Sequence, residues 1–227
     1  SSTKSIQVHS DEFNYNHQKK IATFQKNSSL FVDDIIIETN HFTYLNNSDN
    51  ITFKNGFELK TSNSHTTINS VVININQSKI AASNNVRTRF EKQSTKKDSD
   101  QIQELLKNPT FISAKAAFID FSNNNNSIIT YNQDVIVSQH GKKLESDHLH
   151  VNFLNDHFAA SSNVSFTFNT LEWLLKKNRP IKNKDIQSML KKKTTMKTQH
   201  ASFNPKKNIV KLNNDIELKQ INFKLTG

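Results

Sequence analysis

Apolar residues alternate with polar ones through most of the chain, and short polar corners break the alternation at intervals. In NITFKNGFELKT (50–61), Ile51 and Phe53 alternate with Thr52 and Lys54. Asn55-Gly56 interrupts, then Phe57 and Leu59 resume against Glu58 and Lys60. A period of two puts one set of side chains on each face of a β-strand. The phrase recurs in segments 11–32, 40–61, 69–90, 114–139, 146–168 and 199–220, with corners reading KNGF, SNNV, NQDV, SSNV and NNDI. Asn, Asp and Gly tolerate positive φ, and Asn and Asp also hydrogen-bond their own backbone, as a sharp bend between strands requires.

This pattern predicts an all-β chain of about six strand-turn-strand repeats of roughly 25 residues, about 16 strands in all. A repeat with one apolar face cannot bury it alone, so the repeats stack into a single domain spanning 1–227 with those faces inward. The inward positions are the pairs Phe13/Tyr15, Phe42/Tyr44, Ile51/Phe53, Phe57/Leu59, Leu149/Val151, Phe166/Phe168, Ile216/Leu218 and Phe223/Leu225. Periodicity leaves two interiors open: a sealed, packed core, or an apolar space that admits a ligand.

Two stretches depart from the phrase. Residues 91–110 form a polar excursion around a short helical turn, IQELL. Residues 169–198 form a basic helical insert, with Leu171, Leu174 and Leu175, then Ile186, Met189 and Leu190, at helical spacing on either side of Pro180. The insert holds Lys176, Lys177, Arg179, Lys182, Lys184, Lys191, Lys192, Lys193 and Lys197 against Glu172 and Asp185, so it carries +7 of the chain's net +10. It reads either as a docking element for a membrane surface or acidic partner, or as a solvated lid on one end of the sheet. Its Trp173, the sole Trp, either anchors that lid or sits at a lipid interface.

Composition narrows the chemistry. The chain is hydrophilic, with 34% hydrophobic residues, yet holds 16 Phe, enough to line an interior if sorted to one face. Its abundance of Asn, Lys, Ile and Phe is the balance an AT-rich coding sequence gives, so part of the positive charge is compositional. The absence of Cys excludes disulfides, thiol catalysis and Cys-based zinc sites. No apolar run reaches the ~20 residues of a membrane-spanning helix, and SSTKSIQVHS lacks the apolar stretch of a signal peptide. Ser, His and Asp form no recognisable catalytic motif, and three glycines leave no Gly-rich phosphate loop. His148 and His150 share the polar face of one strand without a third ligand at metal spacing, and read as solvated; no metal or cofactor is expected. Aromatics are not interleaved with the basic residues of the insert, Trp173 excepted, which disfavours nucleic acid.

IQVHSDEFNYNHQKKIATFQKNSSLFVDDIIIETNHFTYL resembles the opening of the periplasmic lipopolysaccharide-transport proteins of the LptA/OstA-like family, to which LptC-like proteins are related. Ser10-Asp11 stands at the family's Ser-Asp step, and SNNV, SSNV and NQDV stand where its corners read Gly-Asn-Val. KLESDHLHVNFLNDHFAASSNVSF (143–166) is similar to a later unit. The resemblance spans most of the chain outside the two inserts, with Asn, Ser or Gln replacing the corner Gly.

It implies an open, twisted β-jellyroll with a V-shaped slit. It also implies a non-enzymatic role, carrying lipopolysaccharide or a similar acylated glycolipid toward the outer membrane. The inward pairs would line the slit, and Lys and Arg at its rim would meet head-group phosphates. End-to-end joining to other Lpt-type proteins, or to further copies of itself, is implied too, as is a periplasmic location reached through a signal or anchor outside these residues. The alternative is a structural or adhesive β-repeat protein with a sealed core and a basic docking helix.

Overall fold

The computed structural model describes residues 6–32, 35–60, 64–74, 76–90, 109–122, 128–139, 141–152, 157–169, 184–185, 188, 191–204, 209–220 and 223–226, with backbone alone at 54–57, 203–204, 209–210, 220 and 223–226. The strands are β1 (Ile6–His9), β2 (Glu12–Asn16), β3 (Ile21–Val32), β4 (Ile35–Leu45) and β5 (Asn50–Lys60). Next come β6 (Ser64–Asn74), β7 (Lys79–Phe90), β8 (Thr110–Asp120), β9 (Ile128–Gln139) and β10 (Lys142–Asn152). The last are β11 (His157–Asn169), β12 (Lys193–Asn204), β13 (Ile209–Asn213), β14 (Glu217–Gln220) and β15 (Phe223–Thr226). All lie in one antiparallel sheet in which β3 to β12 follow chain order.

Four of the five corners, all but NNDI, are not breaks between short strands, as the sequence suggested. They are bends within strands of 11 to 13 residues. On β3, β7, β9 and β11 the corner is a pair of positive-φ residues: Lys26-Asn27, Asn84-Asn85, Gln133-Asp134 and Ser162-Asn163. A fifth pair, Asn214-Asp215, separates β13 from β14. Each ladder shifts register there, for instance between Ser83 and Val86 of β7. Such bulges bend a strand and sharpen its twist. At the two ends of the sheet the bent strand is split: β1 and β2 pair with the two halves of β3, and β14 and β13 with the two halves of β12.

Side-chain clamps hold two corners in the same way. Asn27 Nδ2 donates to Asp11 Oδ2 (2.6 Å) and Asn163 Nδ2 to Asp147 Oδ2 (2.7 Å). Asp11 also donates its backbone N–H to the Lys26 carbonyl (3.1 Å). The Ser10-Asp11 step is therefore the first corner's partner on the edge strand.

A sheet has two faces, and one of these is buried in both halves. Leu30, Ile37, Phe42 and Phe53 are 0% exposed. The described neighbours of these strands are strands of the same sheet, so the bent halves cover one another. Tyr131, on the first half of β9, donates from its hydroxyl to Thr88 Oγ1 on the second half of β7 (3.0 Å), a bond that crosses the interior. The fold is an all-β jellyroll made from one bent sheet.

Candidate functional site: a half-open apolar interior

Register arranges the inward side chains in rows across the sheet. One row, through the first halves of β3 and β5, runs Phe13–Phe24–Phe42–Phe53–Val71. Its rings stack, with centroids 5.1 Å apart for Phe13/Phe24, 4.5 Å for Phe24/Phe42 and 5.1 Å for Phe42/Phe53. Another row, through the second halves of β3, β5, β7, β9 and β11, runs Val8–Leu30–Ile37–Leu59–Thr66–Thr88–Ile112 and continues Val137–Leu144–Phe166–Met196–Leu218.

Exposure along these rows is uneven. From β5 through β8 every described inward hydrophobic is buried, among them Ile51, Ile68, Ile80, Val86 and Ile119. That part is a packed core with a polar strut. Thr66 Oγ1 and Tyr131 Oη both donate to Thr88 Oγ1, each at 3.0 Å. Burial pushes the Tyr131 phenol well above its usual range, and the Thr88 hydrogen bond offsets this only in part.

Toward the C-terminal strands the seal loosens. Val137, Leu144, Phe166, Met196 and Leu218, consecutive neighbours on five strands, are all only half-buried. Phe168 joins them, with its ring 5.2 Å from that of Phe166. Four inter-strand steps make this strip about 19 Å long. One leaflet's hydrocarbon is about 15 Å deep, so the strip matches a single membrane acyl chain in length. On its chemistry it can solvate such a chain and do little else, since no titratable group belongs to it.

The sequence-identified residues divide accordingly. Phe42, Ile51, Phe53, Leu59, Leu149 and Val151 are buried and Tyr44 is half-buried. Phe166, Phe168 and Leu218 lie in the open strip, and Ile216 is half-buried beside it. Phe13 and Tyr15 are 63% and 38% exposed because β2 is an edge strand that, among the described residues, pairs with β3 alone. The side chains of Phe57, Phe223 and Leu225 lie outside the described residues.

Leu144, Val137 and Met196 were missed. Leu144 is out of phase with Leu149 because a bulge between Glu145 and His148 adds a residue to β10. Val137 ends the run VIV and Met196 stands alone between threonines, so neither displays a pair.

Of the basic residues, Lys176, Lys177, Arg179 and Lys182 lie outside the described residues. Lys184 is helical and exposed, as are Asp185 and Ser188. Lys191 and Lys192 precede β12, which begins at Lys193, so the last six positions of the expected insert are strand. His148 and His150 face outward on β10, with His148 Nδ1 2.8 Å from Asn132 Oδ1 and His150 Nδ1 3.2 Å from Thr130 Oγ1.

No protein-family profile matches the chain, and no curated protein does. Among solved structures the chain is similar to LptH from Pseudomonas aeruginosa, described as the LptA-homologous periplasmic component of the lipopolysaccharide transport device. The match covers 70% of this chain and 83% of LptH at 10% identity and a TM-score of 0.30. LptH is thus an LptA homologue, of the family the sequence resembles. A superposition this loose carries no weight for function.

Proposed function

We propose that this protein is a non-enzymatic lipid carrier that holds an acyl chain along the half-open strip of its interior. The observation behind this is the change in exposure along one row. Inward side chains are sealed at Leu59 and Ile112 but only half-buried from Val137 to Leu218, although all of these are apolar. Burying methylenes there is worth roughly 0.8 kcal/mol each. In the packed section an acyl chain would have to displace close-packed side chains, which costs more than it gains.

The lipid is lipopolysaccharide or a similar acylated glycolipid, and the compartment the periplasm. Both rest on the sequence resemblance, to which the Asp11–Asn27 and Asp147–Asn163 clamps give a physical role. Lysines of segment 169–198 would meet head-group phosphates or a membrane surface. The chain also joins end to end with Lpt-type proteins or further copies. Phe13, at the exposed end of the stacked row, sits on the edge of β2 that has no partner strand among the described residues, where a further strand would continue both the ladder and the stack. Sedimentation equilibrium should show self-association that Phe13→Asp removes; a monomer at every concentration would refute joining to itself.

A single Trp placed by substitution tests the lipid site. In a Trp173→Phe background, an acylated lipid brominated on its chain should quench Trp at 166 and leave Trp at 42 unquenched. Equal quenching at both, or at neither, would contradict the strip as the site. The second reading, a sealed structural β-repeat, is favoured by the packing of β5 through β8 and predicts quenching at neither.

A further inference from the structure

His148 and His150 stand two residues apart on β10, with Leu149 between them turned into the interior. Alternation along the strand puts both rings on the outward face and says no more. The structure adds how each ring is held. Register sets His148 opposite Asn132 and His150 opposite Thr130, both on β9. His148 Nδ1 lies 2.8 Å from Asn132 Oδ1, and His150 Nδ1 lies 3.2 Å from Thr130 Oγ1. The two imidazoles are therefore tethered through the same ring nitrogen to outward residues of the same neighbouring strand.

These tethers fix the chemistry of the other ring nitrogens. An amide oxygen only accepts, so the bond to Asn132 puts a proton on Nδ1 of His148. Thr130 Oγ1 can accept from His150 Nδ1 in the same sense. In that tautomer each Nε2 carries a lone pair, and among the described residues neither Nε2 has a hydrogen-bond partner. Imidazole coordinates metals through such a nitrogen, and a hydrogen bond made by its other nitrogen orients the ring. Residues two apart on a strand lie about 6.8 Å apart and point the same way, so the two rings present their lone pairs side by side. On the opposite flank the register sets Ser161 beside His148 and Ala159 beside His150. These small side chains leave room above the rings, of which His148 is exposed and His150 half-buried.

We infer that His148 and His150 form a chelating pair for a divalent transition-metal ion of the Zn(II), Ni(II) and Cu(II) class on the outer face of the sheet, with Asn132 and Thr130 as positioning residues. Imidazole suits these ions, whereas Mg(II) and Ca(II) call for oxygen donors that the pair does not offer. Among the described residues no group of three or more His, Cys, Asp or Glu converges on a metal position. Water, or a donor from another molecule, therefore completes the coordination. That makes it an open site, unlike the closed four-ligand kind that holds a fold together. This site goes beyond the lipid-carrier reading and does not rest on it, because it lies on the face opposite the apolar interior.

Zn(II), which is diamagnetic, is the probe. Nitrogen-15 NMR of the full chain follows the imidazoles of all nine histidines while Zn(II) is added. The Nε2 signals of His148 and His150 should shift together and saturate at one ion per chain. Those of His200, exposed in the same outward row beyond Ser161, should stay put. His148→Ala and His150→Ala should each weaken binding by at least about ten-fold, since loss of either ring removes the intramolecular second bond. Asn132→Ala, which leaves both ligands in place, should weaken it by about ten-fold, and His200→Ala should leave it unchanged. The amide spectrum of each variant reports its folding. Nine rings that shift together without saturating would mean adventitious binding only and would overturn the inference. So would the absence of any shift, undiminished binding by His148→Ala, His150→Ala or Asn132→Ala, or weakened binding by His200→Ala.

Discussion

At the scale of single residues, two kinds of side chain carry the fold's distinctive features. The first is the pair of positive-φ residues at each corner, eight of which on β3, β7, β9 and β11 are Lys, Asn, Gln, Asp or Ser rather than Gly. The second is Tyr131, whose hydroxyl ties one half of the sheet to the other through Thr88. Tyr131→Phe should cost about 1 kcal/mol at neutral pH, the net worth of one buried hydrogen bond. The effect of pH follows from the raised phenol. Its stabilising share is fully present below about pH 10, where the unfolded phenol is still protonated, and falls as pH rises toward the folded value. The parent should therefore lose up to about 1.4 kcal/mol per pH unit from this group above pH 10, a slope absent from the Phe variant. Parallel urea-melt profiles for the two proteins between pH 9 and 11 would show that the strut does not exist.

At the scale of the strand, the sheet obeys a phase rule. On β3, β7, β9 and β11 the positive-φ pair adds two residues, so inward positions keep their parity: Ile80 and Ala82 before the corner, Val86 and Thr88 after it. On β6, β8 and β10 the bulge adds one residue and parity flips, as from Ile68 to Val71 and from Ala114 to Ala117. Two insertions facing one bend the pair of strands together. The rule fixes what replacement a corner tolerates. Asn85, at φ 61°, should accept Gly with a change of a few tenths of a kcal/mol. Val, β-branched and crowded in that region, should cost about 1–2 kcal/mol. Equal stability of the two variants in urea melts would mean that the corner is not conformationally demanding.

The phase rule also explains what was legible in the sequence. The corners with Asn pairs were readable because Asn marks positive φ, and because alternation resumes on the same parity after them. Lys26-Asn27 was not singled out, since Lys is no signal for that conformation. The parity flips on β6, β8 and β10 carry no positive-φ pair, and alternation resumes on the other parity, so each of these bent strands looked like two unrelated runs. That is why the chain read as about 16 short strands when ten long bent ones and five short terminal ones form the sheet.

At the scale of the whole molecule, the interior is not uniform. Sequence alternation identifies which side chains point inward, and Phe42, Ile51, Phe53, Leu149 and Val151 are where it implies. It holds no information on whether a second layer covers them. Covering depends on how far the bent halves approach, and they close tightly over β5 to β8 while leaving Val137 to Leu218 half-exposed. The inward face was therefore legible and the unevenness of its covering was not. Charge follows a different map, with +7 of the net +10 in residues 169–198. The apolar strip belongs to strands of β9–β14, which lie on either side of that segment in the chain.

The most direct test of this account is native mass spectrometry of the protein with lipopolysaccharide, comparing the parent with Phe166→Asp and with Phe118→Asp. Phe118 is 55% exposed on the outer face and serves as the control for an added charge. The account predicts a one-to-one lipid adduct in the parent and in Phe118→Asp that a folded Phe166→Asp lacks. An adduct that survives Phe166→Asp unchanged, or the absence of any adduct with a folded parent, would contradict the claim that the half-open interior holds the acyl chain.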